Sequence, residues 1–404
     1  MARLRRIDLA AFATAALATV LIASDQGGFF ERTWPWAGLG LAAAGALTLR
    51  TSAELRPSRA GLVLVAAAAA ICAWTAASWL WSSEPSTTAS EALRAPIYLA
   101  AAVTFVVLAS AGGSLGIVLG VAAGTTAIAA YSLADRRFAP SQGRLLAEPL
   151  GYANALGALC AIGLVIVATL GVRRRWGLAI VPAAVLATAL ALTSSRGSWL
   201  ALGAGGLVAA TAARGWAGRA ALAVTAALVA LFVVTAFTIP ARLQARADYW
   251  HVAWHVGFHH PLGGTGAGTY DLAWAAFGDL GKWGDVLDAH NLYLETFAEL
   301  GLVGVVLVAA LAAPVVAAVR DRASATTAAA VGGAVAYLVH AGVDWDWEMP
   351  AVTTVGIACI AATLSQEAPR AGVARNVYVK TTLLVLEAGV VVVYGAYLLG
   401  KHLI

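Results

Sequence analysis

Apolar runs close to twenty residues long recur along this chain, separated by short polar breaks. A run of that length crosses a hydrocarbon layer as a helix. The runs fall at Ile7–Ser24, Thr33–Leu49, Ala60–Trp81, Ala92–Ser110, Ser114–Ala134, Gly151–Val172, Gly177–Thr193, Gly197–Ala213, Ala220–Thr238, Asn291–Val319, Thr326–Val343, Pro350–Leu364 and Val377–Leu399. They predict about 12–13 spans and an all-α, polytopic transmembrane helical bundle. One polar stretch, residues 239–290, is much longer than the other breaks. It is expected to stand outside the bilayer as a large loop within one multi-span membrane domain, residues 1–404. Arg246, Trp250 and Trp254 recur there at helical spacing, so the loop is predicted to fold as helices lying along the interface.

Composition removes the soluble alternatives. Hydrophobic residues make up 61% of the 404 and charged residues 12%, against about 25% charged in a soluble domain. The net charge of +5 is spread over short loops, which sets membrane orientation and does not mark a nucleic-acid partner. No small-residue cleavage site follows the first apolar run, so that run is expected to remain as a helix. The alanine excess suits close packing of membrane helices, and a compositionally biased genome yields the same excess. Cys72, Cys160 and Cys359 lie inside spans without paired spacing and read as buried thiols, not as a disulfide framework or metal site.

Basic residues then fix an expected topology. Arg3, Arg5 and Arg6 hold the N-terminus in the cytoplasm, and alternation puts most later arginine clusters on the same side; Asp135-Arg136-Arg137 is the exception. The turn Thr193-Ser194-Ser195-Arg196-Gly197, the stretch 239–290, the acidic turn from Asp344 to Glu348, and Tyr152 with Asn154 all fall on the outer face. Polar constellations gathered in one compartment suit an enzyme with an outward-facing site.

Several residue types there carry chemistry. Arg196 at a span edge orients its hairpin by snorkelling or binds phosphate bidentately through its planar guanidinium. Arg242 and Arg246, beside Tyr249 and Trp250, fit either an amphipathic surface helix or an anionic headgroup or diphosphate. His251, His255 and His259 share one helical face. An interfacial helix anchored by Trp250 and Trp254 is preferred there over a metal site, which needs more convergent ligands. Gly263-Gly264-Thr265-Gly266-Ala267-Gly268 follows no strand and is not a nucleotide loop, though its backbone N–H groups could approach a diphosphate. His290 ends the polar stretch just before Asn291 and a new span. It either caps a helix or serves as a base at neutral pH, with Asn291 orienting it or binding a sugar. The acidic turn is a solvated cap, a support for His290, or a grip on sugar hydroxyls.

Thr193-Ser194-Ser195-Arg196-Gly197, Arg246 with Trp250, His260-Pro261-Leu262-Gly263-Gly264-Thr265-Gly266 and His290-Asn291 occur in this order around one large loop. That arrangement resembles the bacterial O-antigen ligase and polymerase family over roughly Glu148–Asp344. The resemblance implies a GT-C-like glycosyltransferase at the outer face of the plasma membrane. Such an enzyme moves a glycan from an undecaprenyl-diphosphate carrier to a hydroxyl of a glycan or lipid-glycan acceptor, with no cofactor or metal. It further implies catalytic roles for Arg196, Arg246 and His290. Arg242, Tyr152, Asn154, His260, Asn291 and Asp344 are the expected substrate-binding residues. Ligase activity is favoured over polymerisation or protein O-glycosylation. A lipid-linked glycan flippase is the alternative of a different class, but inverted repeats are lacking and Glu387 is the lone acidic residue deep in a span.

Overall fold

The structure is a computed structural model that describes residues 5–52, 55, 57–135, 145–174, 176–212, 220, 227, 240–321, 324–364 and 373–402. Among these the helices are α1 (Arg6–Ala23), α2 (Trp34–Thr51), α3 (Arg59–Ser78), α4 (Pro85–Ser110), α5 (Ser114–Asp135), α6 (Ala153–Arg174), α7 (Trp176–Thr193) and α8 (Arg196–Ala212). Then follow α9 (Pro240–His259), α10 (Tyr270–Phe277), α11 (Leu280–Trp283), α12 (Leu292–Leu311), α13 (Ala313–Asp321), α14 (Ala325–Ala341), α15 (Pro350–Ala362) and α16 (Val373–His402). No β-strand occurs among the described residues.

The protein is therefore an all-helical, multi-pass membrane protein. Among the described residues, 7 helices are long and apolar enough to cross a bilayer, namely α1, α3, α4, α5, α6, α12 and α16. Shorter apolar helices form in α7, α14 and α15. The predicted runs at Thr33–Leu49 and Gly197–Ala213 fold as α2 and α8, which are not among these, and Ala220–Thr238, apart from residues 220 and 227, lies outside the described residues. The predicted run Asn291–Val319 divides into α12 and α13.

Helix α4 is the centre of the bundle, with 83% of its apolar window buried against 22% for α16 at the periphery. It packs against α2, α3, α15 and α16. Small residues set the closest approaches. Gly116, Gly120 and Gly124 recur every four residues along one face of α5, and a Cβ at the first two would run into α1 backbone carbonyls at Asp8 and Phe12. Without a hydrophobic difference between lipid tails and leucine, such backbone contact is what holds membrane helices together.

Helix α12 is broken at Gly301, whose φ of 66° and ψ of −166° suit glycine alone. The break frees backbone groups that must find partners in a dry setting. Thr265 N donates to Ala298 O at 3.0 Å and Gly266 N to Glu299 O at 2.9 Å, while Leu302 N donates to Pro261 O at 2.8 Å. Trp74 Nε1 donates to Leu300 O at 3.0 Å. The glycine-rich loop after α9 is thus a stitch across a broken helix. Around this loop the polar stretch forms helices α9, α10 and α11, as its spacing predicts, and α9 and α10 pack with Ala298 of α12 around Val252, Val256, Tyr270 and Trp274.

Candidate functional site

The N-terminal ends of α4, α6, α8, α12 and α15 meet the C-terminal ends of α3, α7 and α14 at one end of the bundle, and the polar residues gather there. Asp344, in the turn after α14, is its hub. Tyr152 Oη donates to Asp344 Oδ1 at 2.7 Å. Asn154 Nδ2 donates to Asp344 Oδ2 at 2.6 Å and to Tyr152 Oη at 2.9 Å. Arg246, from the first turns of α9, donates through Nη2 to Asp344 Oδ2 at 3.4 Å. Burial pushes the Asp344 carboxyl up. Arg246, His340 and His290, with the Tyr152 hydrogen bond, outweigh that and hold it below the usual carboxylate range. Arg246 Nη1 is buried without a hydrogen-bond partner among the described residues.

His290 stands at the corner where the polar stretch turns into α12. Its φ of 55° is left-handed, a region in which histidine is enriched among non-glycine residues. Nδ1 lies 3.0 Å from the Asp288 carbonyl. A carbonyl only accepts, so Nδ1 carries the proton and Nε2 of the neutral ring carries the lone pair. Burial and then the Arg246 charge push the imidazole down to about 4, against weaker opposition from Asp344 and Glu348. The ring is therefore neutral at pH 7. Tyr249 lies beside it at 5.6 Å between ring centres. The helix cap itself is Asn291, whose Oδ1 accepts from Tyr293 N at 3.0 Å and Leu294 N at 3.1 Å. Its side-chain carbonyl is occupied in that way.

A second network was not anticipated from sequence. Ser198 Oγ lies 3.0 Å from His340 Nε2 and 2.8 Å from Ser195 Oγ, and His340 Nδ1 lies 3.1 Å from Asp346 Oδ1. The connectivity is that of a nucleophile, base and acid triad. Its members are 0%, 1% and 1% exposed, so in this arrangement they fasten α8 to the acidic turn and meet no substrate. Arg94 Nη1 holds the far side of that turn, donating to Glu348 Oε2 at 3.0 Å. The one legible signal was a histidine six positions before an aspartate in the Asp-Trp-Asp-Trp-Glu segment.

The other expected residues are placed as follows. Arg196 starts α8, two residues from Ser198, half-buried and with no hydrogen bond or ion pair among the described residues. The side chain of Arg242 lies outside the described residues. His260 is exposed at the opposite end of α9 from Arg246, about 20 Å along the helix axis at ~1.5 Å per residue. The loop N–H groups from Gly264 to Gly268 are occupied: Ala267 N donates to Ser78 Oγ at 3.2 Å and Gly268 N to Glu299 Oε2 at 2.9 Å, beside the contacts given above. A diphosphate cradle there is ruled out as folded, because no donor is left to offer. Among the described residues, the histidines of α9 do not converge as three metal ligands. Asp288, Glu295 and Glu348 do, with ligand oxygens within 4.8 Å of one another. Arg94 on Glu348 also offsets charge in that cluster, and burial and then Glu348 push the Asp288 carboxyl well up.

No curated protein matches the chain. Residues 182–309 match the model of the family described as O-antigen ligase. The matched segment contains Arg196, Arg246, His290 and Asn291, while Tyr152, Asn154 and Asp344, which fold onto it, lie outside its bounds. Over this segment the chain is similar to the O-antigen ligase family.

Proposed function

We propose that this protein transfers a glycan from an undecaprenyl-diphosphate carrier to an acceptor hydroxyl on the outer face of the plasma membrane, in the manner of an O-antigen ligase. The family match gives a ligase- or polymerase-like function in general. The observation that carries the finer reading is Arg246. One of its terminal nitrogens is held by Asp344 and the other is buried without a partner among the described residues. A buried donor left unpaired costs about 1–3 kcal/mol, and more when the group is charged, and a diphosphate oxygen removes that cost.

In this scheme Arg246, with Arg196 at the start of α8, stabilises charge developing on the leaving diphosphate. His290 Nε2 takes the acceptor hydroxyl proton. The acceptor oxygen forms the new bond to the anomeric carbon as the bond to the diphosphate breaks, with inversion, and the diphosphate leaves on its lipid. Asp344 orients Arg246 and balances its charge. Tyr152 and Asn154 act by fixing Asp344, since their polar groups are directed at it. The whole chain serves as one membrane domain, with residues 239–290 on the outer side and the bilayer presenting the donor.

The test is to incubate purified protein with a lipid-diphosphate glycan and, in separate reactions, a lipid-glycan core, a second repeat unit, or a hydroxyl-bearing peptide. Glycan joined to the lipid-glycan core supports the ligase reading. Product only on the repeat unit or peptide reassigns the acceptor, and no product with any of them overturns the proposal.

A further inference from the structure

A cavity of about 270 Å³ opens at the far end of α9 from Arg246, between that helix, the loop after it and α10. His255, His259, His260 and Phe277 line it, as do Thr265 and Thr269, whose hydroxyls are 2.7 Å apart and bond to the Ala298 carbonyl at 3.3 Å and the Gly266 carbonyl at 2.6 Å. It is a little smaller than the ~300–1,000 Å³ that holds a drug-sized ligand. The His255 ring lies tilted against Phe277, which is 59% exposed, at 4.9 Å and against His259 at 4.3 Å between ring centres. His259 Nδ1 donates to the His255 carbonyl at 2.8 Å, which leaves Nε2 for another partner.

The lining contains no carboxylate, lysine or arginine. Fixed charge for an anionic headgroup or a diphosphate is therefore lacking here and stands instead at Arg246. The three imidazoles do not converge as metal ligands among the described residues. Flat ring faces beside hydrogen-bonding imidazole edges suit a neutral polyhydroxylated ring. The ring faces cover its C–H surface, and the imidazole edges meet its O–H groups.

We propose that this cavity is a saccharide subsite, taking a neutral sugar unit of the glycan that lies away from the reacting one. His255 and His259 stand about 14 and 20 Å along α9 from Arg246, at ~1.5 Å per residue. A glycan held at both ends of α9 is thereby aligned along the helix. The proposal rests on the glycan-transfer reading.

The experiment uses the full chain in lipid nanodiscs and, as probe, the lipid-free oligosaccharide released by mild acid from the surface polysaccharide of the cells that make the protein. Wild type and Arg246→Lys should bind it equally, with saturation transfer onto the sugar. His255→Gln and Phe277→Ala should bind about 3–10-fold more weakly, the range expected for losing one ring contact. Both should leave turnover of a single-unit lipid-linked donor unchanged. The glutamine keeps a hydrogen-bonding edge and Phe277 is largely exposed, so both variants should fold. Failure of wild type to bind, equal binding by wild type and both variants, or Zn²⁺ held at these histidines in place of sugar overturns the subsite. Wild type that binds the sugar through the cavity but transfers nothing keeps the subsite and removes the transferase reading.

Discussion

Arg246 Nη2 donates to Asp344 Oδ2 at 3.4 Å across 98 positions of sequence. This contact joins the helix that opens the polar stretch to the turn that follows α14. It connects an arginine inside the matched family segment to an acidic hub outside it, and it brings the hub's carboxylate within electrostatic reach of His290.

Replacing Arg246 by lysine keeps the charge but removes the fork that reaches Asp344 and an anion together. Transfer by Arg246→Lys should fall about 10²–10³-fold, the usual loss for one stabilising donor. Initial rates with a lipid-diphosphate donor measure it, and a wild-type rate would show that Arg246 serves position alone.

The pH dependence follows from His290. Its ring is pushed down to about 4, so the neutral form persists from pH 7 to near that value. In the free enzyme kcat/KM should lose its acid limb only as pH falls through about 4, well below the ordinary ~6.5. Bound diphosphate offsets the Arg246 charge that contributes to the depression, so the limb in kcat should move to higher pH. His290→Ala should insert and purify normally, bind donor, and transfer about 10²–10⁴-fold more slowly. An acid limb near 6.5 in both profiles, or wild-type turnover by His290→Ala, contradicts this assignment.

Chelation separates the proposed scheme from a metal-dependent one. EDTA should leave the wild-type rate unchanged, because the scheme needs only the arginines and the neutral imidazole. Loss of activity that Mg²⁺ or Ca²⁺ restores would assign a cation to Asp288, Glu295 and Glu348.

The buried link between α8 and the acidic turn should matter for stability first. His340→Gln cannot reach both Ser198 and Asp346, and a buried partner left unsatisfied costs about 1–3 kcal/mol. Thermal unfolding in detergent should register that loss, with transfer falling as Asp344 loses its fixed position.

Gly301→Ala should be more damaging than a change of one methyl group suggests. The position is left-handed, and an added Cβ would run into the Leu262 carbonyl of the stitching loop. Lower yield and a lower unfolding temperature are expected, and an unchanged midpoint would show that the break at Gly301 is not required.

Helical class and membrane character were legible because they depend on local facts. Runs of alanine, valine and leucine are long enough to cross a bilayer, and turns are marked by arginine, serine and glycine. Within the candidate site, Arg246, His290, Tyr152, Asn154 and Asp344 were singled out because polar residues beside apolar runs stand out in sequence. Their pairing was not legible, since nothing local connects position 246 with 344.

The sequence by itself determined that this is a multi-pass helical protein with its chemistry-bearing residues in a few polar breaks, because span length and polarity are properties of consecutive residues. Tertiary structure alone decided three further points. Asn291, and not His290, caps α12. The glycine-rich loop closes the break at Gly301 instead of binding an anion. Ser198, His340 and Asp346 form one buried chain. Each depends on which distant groups satisfy a hydrogen bond in a dry interior, and that is settled only when the helices pack.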